Sequence, residues 1–152
     1  MRKEQFWFLD TLVAVRIAHA DGTDGISVLE HRARFGDSPP LHIHRTEDEI
    51  FNVLEGEFLL HIENSDRKLE PGAIVIAPKG IAHTYRVDSA GGGRWLTVTA
   101  RGDFERFVRA IGRPAEGSGL PPPAGQPSPQ AIEALVAAAH KYGIDIVGPP
   151  LH

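Results

Sequence analysis

Turn-forming residues interrupt this chain roughly every ten residues between positions 5 and 100, and the segments between them are rich in β-branched and aliphatic residues. Apolar segments this short match the length of strands better than that of helices. Many short strands separated by turns are typical of an all-β barrel or sandwich. Strands are predicted over residues 11–18, 25–35, 50–54, 57–62, 73–77, 82–87 and 94–100.

The pattern changes after the last of these strands. Apolar residues recur at helical spacing up to Gly112, which predicts a helix over residues 103–111. A second helix is predicted between Ser128, which can cap its first turn, and Gly143, which closes it. The helices either simply cover the barrel or form a lid over its mouth. The chain is therefore predicted to divide into a β domain, residues 1–101, and a helical extension packed on it, residues 102–152.

Composition excludes several classes of function. At 152 residues the chain is long enough for one domain with a real core. Its net charge of -4 and the lack of a basic stripe argue against nucleic acid as a partner. No segment reaches the ~18 apolar residues of a membrane helix, and the apolar run at residues 6–9 is too short for a signal peptide, so a cytoplasmic location is expected.

A group of histidine and acidic residues lies between two glycines in the first half of the chain. His42 and His44 are separated by one residue, which on a strand places both imidazoles on one face. Glu49 follows before the next turn. A chance match to the spacing of all five positions is on the order of 10⁻⁴ to 10⁻³ at this composition. The five positions are Gly36, His42, His44, Glu49 and Gly56.

A second group adds one more histidine, His83, at a fixed distance after Gly72, Pro78 and Gly80. The chain has no cysteine, so histidine and the carboxylates are its only strong metal ligands. Three imidazoles and one carboxylate suit a borderline divalent transition metal and leave coordination positions open for chemistry. Iron, nickel, cobalt, manganese, copper and zinc all accept such ligands.

These two groups resemble the two signature motifs of the cupin superfamily. The resemblance implies a small antiparallel jelly-roll β-barrel that holds one divalent transition metal ion inside. One position departs from the family pattern, because Val87 stands where the second motif usually has asparagine. The ligand set that the resemblance implies is His42, His44, Glu49 and His83.

The chain is also similar to small bacterial quercetinase-like cupins in four segments, residues 6–9, 27–31, 102–107 and 111–116. That resemblance implies a metal-dependent dioxygenase that opens the heterocycle of a flavonol and releases carbon monoxide. Its partners would be a small enolic or phenolic substrate and dioxygen. Two other interpretations stay open, a non-redox cyclase, isomerase or lyase that uses the same metal and a non-enzymatic small-molecule binder.

Further roles are assigned by position. Glu49 is expected to act as ligand and as proton acceptor. Phe51, Val53, Tyr85 and Val87 are the predicted substrate-binding residues, although Tyr85 could equally be an ordinary core aromatic. Strand alternation also makes Ile74 and Ile76 candidates for the interior.

The remaining groups have structural interpretations. Glu47 and Asp48 are expected to be solvated loop charges, and His31 and His61 to be surface residues. The four motif glycines are expected to serve turns and close backbone approach. The aromatic segment at residues 6–8 predicts a homodimer, with packing on its own barrel as the alternative.

Overall fold

The computed structural model describes residues 4–152 of the chain. Among these residues it contains twelve strands and two helices. The strands are β1 (Gln5–Phe8), β2 (Thr11–Ile17), β3 (Ser27–Ala33), β4 (Leu41–His44), β5 (Glu49–Glu55), β6 (Phe58–Ile62), β7 (Ser65–Leu69), β8 (Ile74–Ala77), β9 (His83–Val87), β10 (Gly93–Thr99), β11 (Arg113–Pro114) and β12 (Ile144–Gly148). The helices are α1 (Asp103–Ile111) and α2 (Pro129–Lys141). None of the described helices is long and apolar enough to cross a membrane.

The strands form two antiparallel sheets, which confirms the predicted all-β jelly-roll fold. One sheet has the order β11-β1-β2-β3-β10-β5-β8 and the other the order β12-β4-β9-β6-β7. Within residues 4–152 the two hydrogen-bonded ladders are separate and do not close into one continuous barrel. Buried side chains from both sheets form a shared core, in which Phe51, Val53 and Trp95 pack with Phe58, Leu60 and Val87.

Strand alternation fixes which side chains point inward. On β5, residues Glu49, Phe51 and Val53 are buried while their neighbours are less so. The expectation that Ile74 and Ile76 face the interior is wrong, because they are 69% and 51% exposed. On β8 the buried positions are instead Val75 and Ala77, which lie opposite Phe51 and Glu49 of β5.

The four motif glycines occupy left-handed turns, as expected, but the expected close backbone approach is wrong for Gly36, Gly72 and Gly80, where an added Cβ would meet nothing within 4 Å. Their φ angles are 83° at Gly36, 85° at Gly56, 93° at Gly72 and 85° at Gly80. At Gly56 the backbone also approaches closely, since a Cβ atom there would lie 2.5 Å from the carbonyl oxygen of Gly92. Any other residue would be strained at Gly56 by both conformation and contact.

The C-terminal segment contributes to both sheets as well as forming helices. Both predicted helices are confirmed, and the Ser128 hydroxyl caps α2 by accepting a hydrogen bond from the Ala131 amide at 3.1 Å. The two strands of this segment were not predicted: β11 pairs with β1, and β12 pairs with β4. In the second pairing Ile144 lies opposite His44 and Ile146 opposite His42. The strand that carries two of the proposed ligands is therefore held between β9 and β12.

The N-terminal aromatic residues pack against their own chain. Phe8 meets Phe104 and Phe107 edge-on, with ring centroids 6.1 and 5.4 Å away. The indole of Trp7 donates a hydrogen bond to the carbonyl of Gly119 at 2.9 Å. These contacts match the alternative to dimerisation, and the homodimer stays a prediction.

Glu47 has a structural role that the sequence prediction missed. It is 2% exposed and accepts hydrogen bonds from the backbone amides of Phe104, at 2.7 Å, and Arg101, at 3.0 Å. The first amides of a helix lack intrahelical partners, and the residue before α1, Gly102, has no side chain to cap them. A carboxylate at this end of α1 also interacts favourably with the helix dipole. The expectation of a solvated charge is therefore wrong for Glu47, whereas Asp48 is exposed.

We expect Glu47→Gln to lower the free energy of unfolding by about 1–3 kcal/mol, because the amide nitrogen would face a backbone N–H that needs an acceptor. Urea denaturation monitored by circular dichroism measures this. Glu70→Gln is the matched control, since Glu70 is exposed and its side chain makes no hydrogen bond within residues 4–152. Equal stability of the two variants would contradict the assigned role of Glu47.

Candidate metal site and cavity

Three strands bring His42, His44, Glu49 and His83 together. The two histidines of β4 share one face, Glu49 begins β5, and His83 begins β9 directly opposite His42. One ligand atom from each of the four side chains lies within 4.8 Å of those of the other three. His44, Glu49 and His83 are almost completely buried, at 3%, 3% and 1% exposed.

Hydrogen bonds to backbone carbonyls orient two of the imidazoles. The Nδ1 atom of His42 lies 2.7 Å from the carbonyl oxygen of Pro40, and that of His83 lies 3.4 Å from the carbonyl of Ile81. An Nδ1–H that donates to a carbonyl leaves the Nε2 lone pair free for a metal. The Oε2 atom of Glu49 lies 2.9 Å from the Nε2 atom of His44 and 3.2 Å from that of His83.

The protonation of the site depends on the balance between burial and the Glu49 charge. Burial and the neighbouring imidazoles His83 and His44 lower the pKa of His42 to about 3. Burial would also lower the pKa of His44, but the charge of Glu49 and the hydrogen bond to it raise that pKa above 6.5. Burial disfavours the Glu49 carboxylate, yet His44 and His83 hold the pKa of Glu49 well below its usual value.

The donor set fits a divalent transition metal. Three imidazoles and one carboxylate are buried together, a combination that is costly for polar groups unless they are paired or bind an ion. One atom is left without any partner: the Nδ1 of His44 is sealed from solvent and makes no hydrogen bond in the described structure. The Nε2 atom of the same ring points at Glu49, where an ion would take the place of the proton between them.

A cavity of about 670 Å³ opens from this site. Its volume is in the range of pockets that enclose drug-sized molecules. Phe51 and Tyr85, two of the predicted substrate-binding residues, line it. The other two, Val53 and Val87, lie in the adjoining core, 2% and 0% exposed, and do not line it. Helix α2 forms part of the opposite wall through apolar residues, among them Ala131, Ile132, Leu135 and Ala138.

His31 lines the same cavity, so its expected surface position is wrong. The side chain is 3% exposed, and its ring stacks on Trp95 with centroids 4.9 Å apart and an angle of 11°. Burial lowers the pKa of His31 to about 4, although the charge of Glu49 acts in the opposite direction. Strand alternation was the signal that could have placed it, because His31 shares a face of β3 with the buried Leu29.

A second acidic region of the cavity lies around Asp37. Burial and the charge of Asp10 raise the pKa of Asp37 to about 6, and Arg34 opposes that rise. Both carboxyl groups line the cavity, whose other walls are mainly apolar. Sequence reasoning gave neither residue a role.

We expect metal affinity to fall as the pH drops from 8 to 6. A proton on His44 competes with the metal, and the raised pKa of His44 brings that competition above the usual range for histidine. His42, with its pKa lowered to about 3, keeps its lone pair available throughout. Competition with a chelator of known affinity at pH 8, 7 and 6 measures the effect. Constant affinity over this range would contradict the assignment of His44 as a ligand.

Comparison with known proteins agrees with this architecture. Residues 32–99 match the family model of the cupin domain. Quercetin 2,3-dioxygenase of Bacillus subtilis (strain 168) is 32% identical over 106 residues, which are 69% of this chain but only 31% of that enzyme. Among solved structures, a predicted oxalate decarboxylase from Thermotoga maritima has a TM-score of 0.57 at 21% identity, covering 60% of this chain and 80% of its own. The polyketide cyclase RemF from Streptomyces resistomycificus has a TM-score of 0.54 at 24% identity, covering 66% and 70%.

The two structural matches are distant in sequence and show the fold alone. The family model covers the strands that carry all four proposed ligands, from His42 to His83. The resemblance to quercetinase-like cupins that the sequence motifs predicted is confirmed by the 32% identical relative. This chain therefore contains a cupin domain, over residues 32–99.

Proposed function

We propose that this cupin binds one divalent transition metal ion through His42, His44, Glu49 and His83, and that it is a dioxygenase of a small enolic or phenolic, flavonol-like compound. One observation carries the proposal: a buried three-histidine, one-carboxylate cluster opens onto a large, mainly apolar cavity. Similarity to quercetin 2,3-dioxygenase over 106 residues supports the choice of substrate class.

Glu49 is the group that would move the proton. When bound, the metal supplies Lewis acidity that lowers the pKa of a substrate hydroxyl at an open coordination position. In the protein without metal the pKa of Glu49 is held low, so its carboxylate is ionised at neutral pH, and its Oε2 atom lies 2.9 Å from His44 Nε2 and 3.2 Å from His83 Nε2. It can therefore accept the hydroxyl proton and leave the substrate as an enolate.

The cavity walls would hold and shield that enolate. Phe51, Trp95 and Phe104 present aromatic surface to the cavity, which suits a planar substrate and excludes water from the reacting carbon. On a flavonol the reaction consumes one dioxygen, whose two oxygen atoms enter the ester product. Two carbon–carbon bonds of the heterocycle break, and the carbon between them leaves as carbon monoxide with its own oxygen.

The proposal is tested by oxygen uptake. The purified protein is stripped with a chelator, reloaded separately with iron, manganese, cobalt, nickel, copper or zinc, and given quercetin as the probe. We expect uptake of one dioxygen and release of one carbon monoxide per quercetin with at least one metal. Product formation without oxygen uptake would instead support a non-redox reaction, and quercetin binding without any product would support a binding protein.

We expect Glu49→Gln to retain metal at reduced affinity while turnover falls by ~10² to 10⁴, the usual worth of general-base catalysis. Glutamine keeps an oxygen ligand but cannot accept a proton at neutral pH. Rates are compared at metal concentrations that saturate each variant, with the exposed Glu70→Gln as the matched control. If saturating metal restores most of the rate, Glu49 is a ligand only and its role as a base is rejected.

A further inference from the structure

We propose that His31 is a substrate-binding residue, whose free ring nitrogen hydrogen-bonds a second polar group of a compound that is anchored by its first oxygen at the His42–His44–Glu49–His83 cluster. The inference rests on the proposed function, because the metal bound at that cluster anchors the compound. It narrows the substrate class to aromatic compounds with oxygen groups at two separated positions.

The His31 ring is held rigidly. It stacks on Trp95 and lies 5.9 Å from the ring of Phe104 at an angle of 24°. Its Nε2 atom is 2.9 Å from the hydroxyl of Thr97 on the neighbouring strand β10. A buried side chain that is fixed by stacking and by one hydrogen bond loses little further entropy when it binds a ligand.

The second nitrogen of the ring, Nδ1, has no hydrogen-bond partner within residues 4–152. Two polar side-chain atoms of residues 4–152 are both closed to solvent and without a hydrogen bond, His44 Nδ1 and Arg94 Nε, and His31 Nδ1 is not one of them. The Nδ1 atom therefore retains contact with open space, and the space that His31 lines is the cavity. A ring nitrogen that faces a cavity and has no protein partner is free to bind a polar ligand atom in place of water.

His31 and the metal site line the same cavity and share a contact with one aromatic ring. Phe104 contacts both His31 and His44, and its ring centroid lies 5.9 Å from the first and 5.7 Å from the second. The charge of Glu49 is near enough to act on the His31 imidazole. An aromatic compound anchored at the cluster and lying along Phe104 would bring its far edge toward Nδ1.

The neutral state of His31 makes this nitrogen a selective partner. A neutral imidazole has one donor and one acceptor nitrogen, so Nδ1 takes the role opposite to that of Nε2 toward Thr97. A hydroxyl group can satisfy either role, whereas an alkyl group of the same size can satisfy neither. A site built around such a nitrogen should prefer a hydroxyl over its methyl isostere.

The test uses the zinc-loaded protein without oxygen and two matched catechols, 3,4-dihydroxybenzyl alcohol and 4-ethylcatechol. These ligands share the metal-binding oxygens and differ in one hydroxyl against one methyl group. Calorimetric titration gives the ratio of their affinities. We expect that the ratio in the wild type favours the alcohol and falls about threefold to tenfold in His31→Phe, which keeps an aromatic ring for the stack.

Two amide variants distinguish binding from packing. In His31→Asn the amide lies near the position of Nδ1, and in His31→Gln it lies near Nε2, so the asparagine should keep part of the preference and the glutamine should lose it. His61→Phe is the control, because His61 lies outside the cavity on the β6–β7 hairpin and pairs with Asp66 at 2.6 Å. Thermal unfolding checks that each variant is folded. If His31→Phe does not fold, the comparison of His31→Asn with His31→Gln tests the inference.

An unchanged ratio in all His31 variants, or equal weakening of both catechols, would overturn the inference and leave the proposed function intact. Failure of both catechols to bind the zinc-loaded wild type would reject the anchoring site, and the inference with it. If the ratio behaves as expected but quercetin causes no oxygen uptake with any metal, only the dioxygenase reaction is rejected.

Discussion

The burial of three imidazoles and one carboxylate against one another is the constraint on which this structure depends. Each of these groups would be costly in the interior alone, and together they are tolerated because they share hydrogen bonds and opposite charge. That sharing requires β4 and β9 to pair with His42 opposite His83, and β5 of the other sheet to bring Glu49 against both His44 and His83. The pairing of β12 with β4 fixes the outer side of the same strand.

Helix α1 is connected to the ligand cluster through the loop between β4 and β5. The loop that joins β4 to β5 carries Glu47, which holds the first amides of α1, and Thr46, which donates a hydrogen bond to Asp103 at 2.6 Å. This anchoring places Phe104 against both His44 and His31. The same short loop therefore connects two proposed ligands and positions the aromatic ring that contacts both the metal site and His31.

The sequence predicts those parts of the molecule that local patterns determine. Both helices, most strands and the motif turns follow from apolar periodicity, capping residues and glycines, and the proposed ligands follow from spacing. Long-range pairing is not encoded in that way. The segment that forms β12 carries no signal for pairing with β4, which lies about a hundred residues earlier, and the burial of Glu47 depends on a helix end that reaches it only in the folded chain. His31 is the exception, since alternation with Leu29 indicates its inward position.

The cavity shows how one residue type serves different purposes according to its distance from a single charge. Desolvation dominates at His42 and His31, so their pKa values fall to about 3 and about 4 and both rings are neutral at physiological pH. His44 is also desolvated but contacts Glu49 directly, and its pKa is raised instead. A neutral imidazole offers a lone pair or a hydrogen bond, whereas a protonated imidazole must release its proton before it can bind a metal. The contact with Glu49 therefore makes the His44 proton a competitor of the metal, whereas His31 lies outside the cluster and its ring is free to bind a ligand.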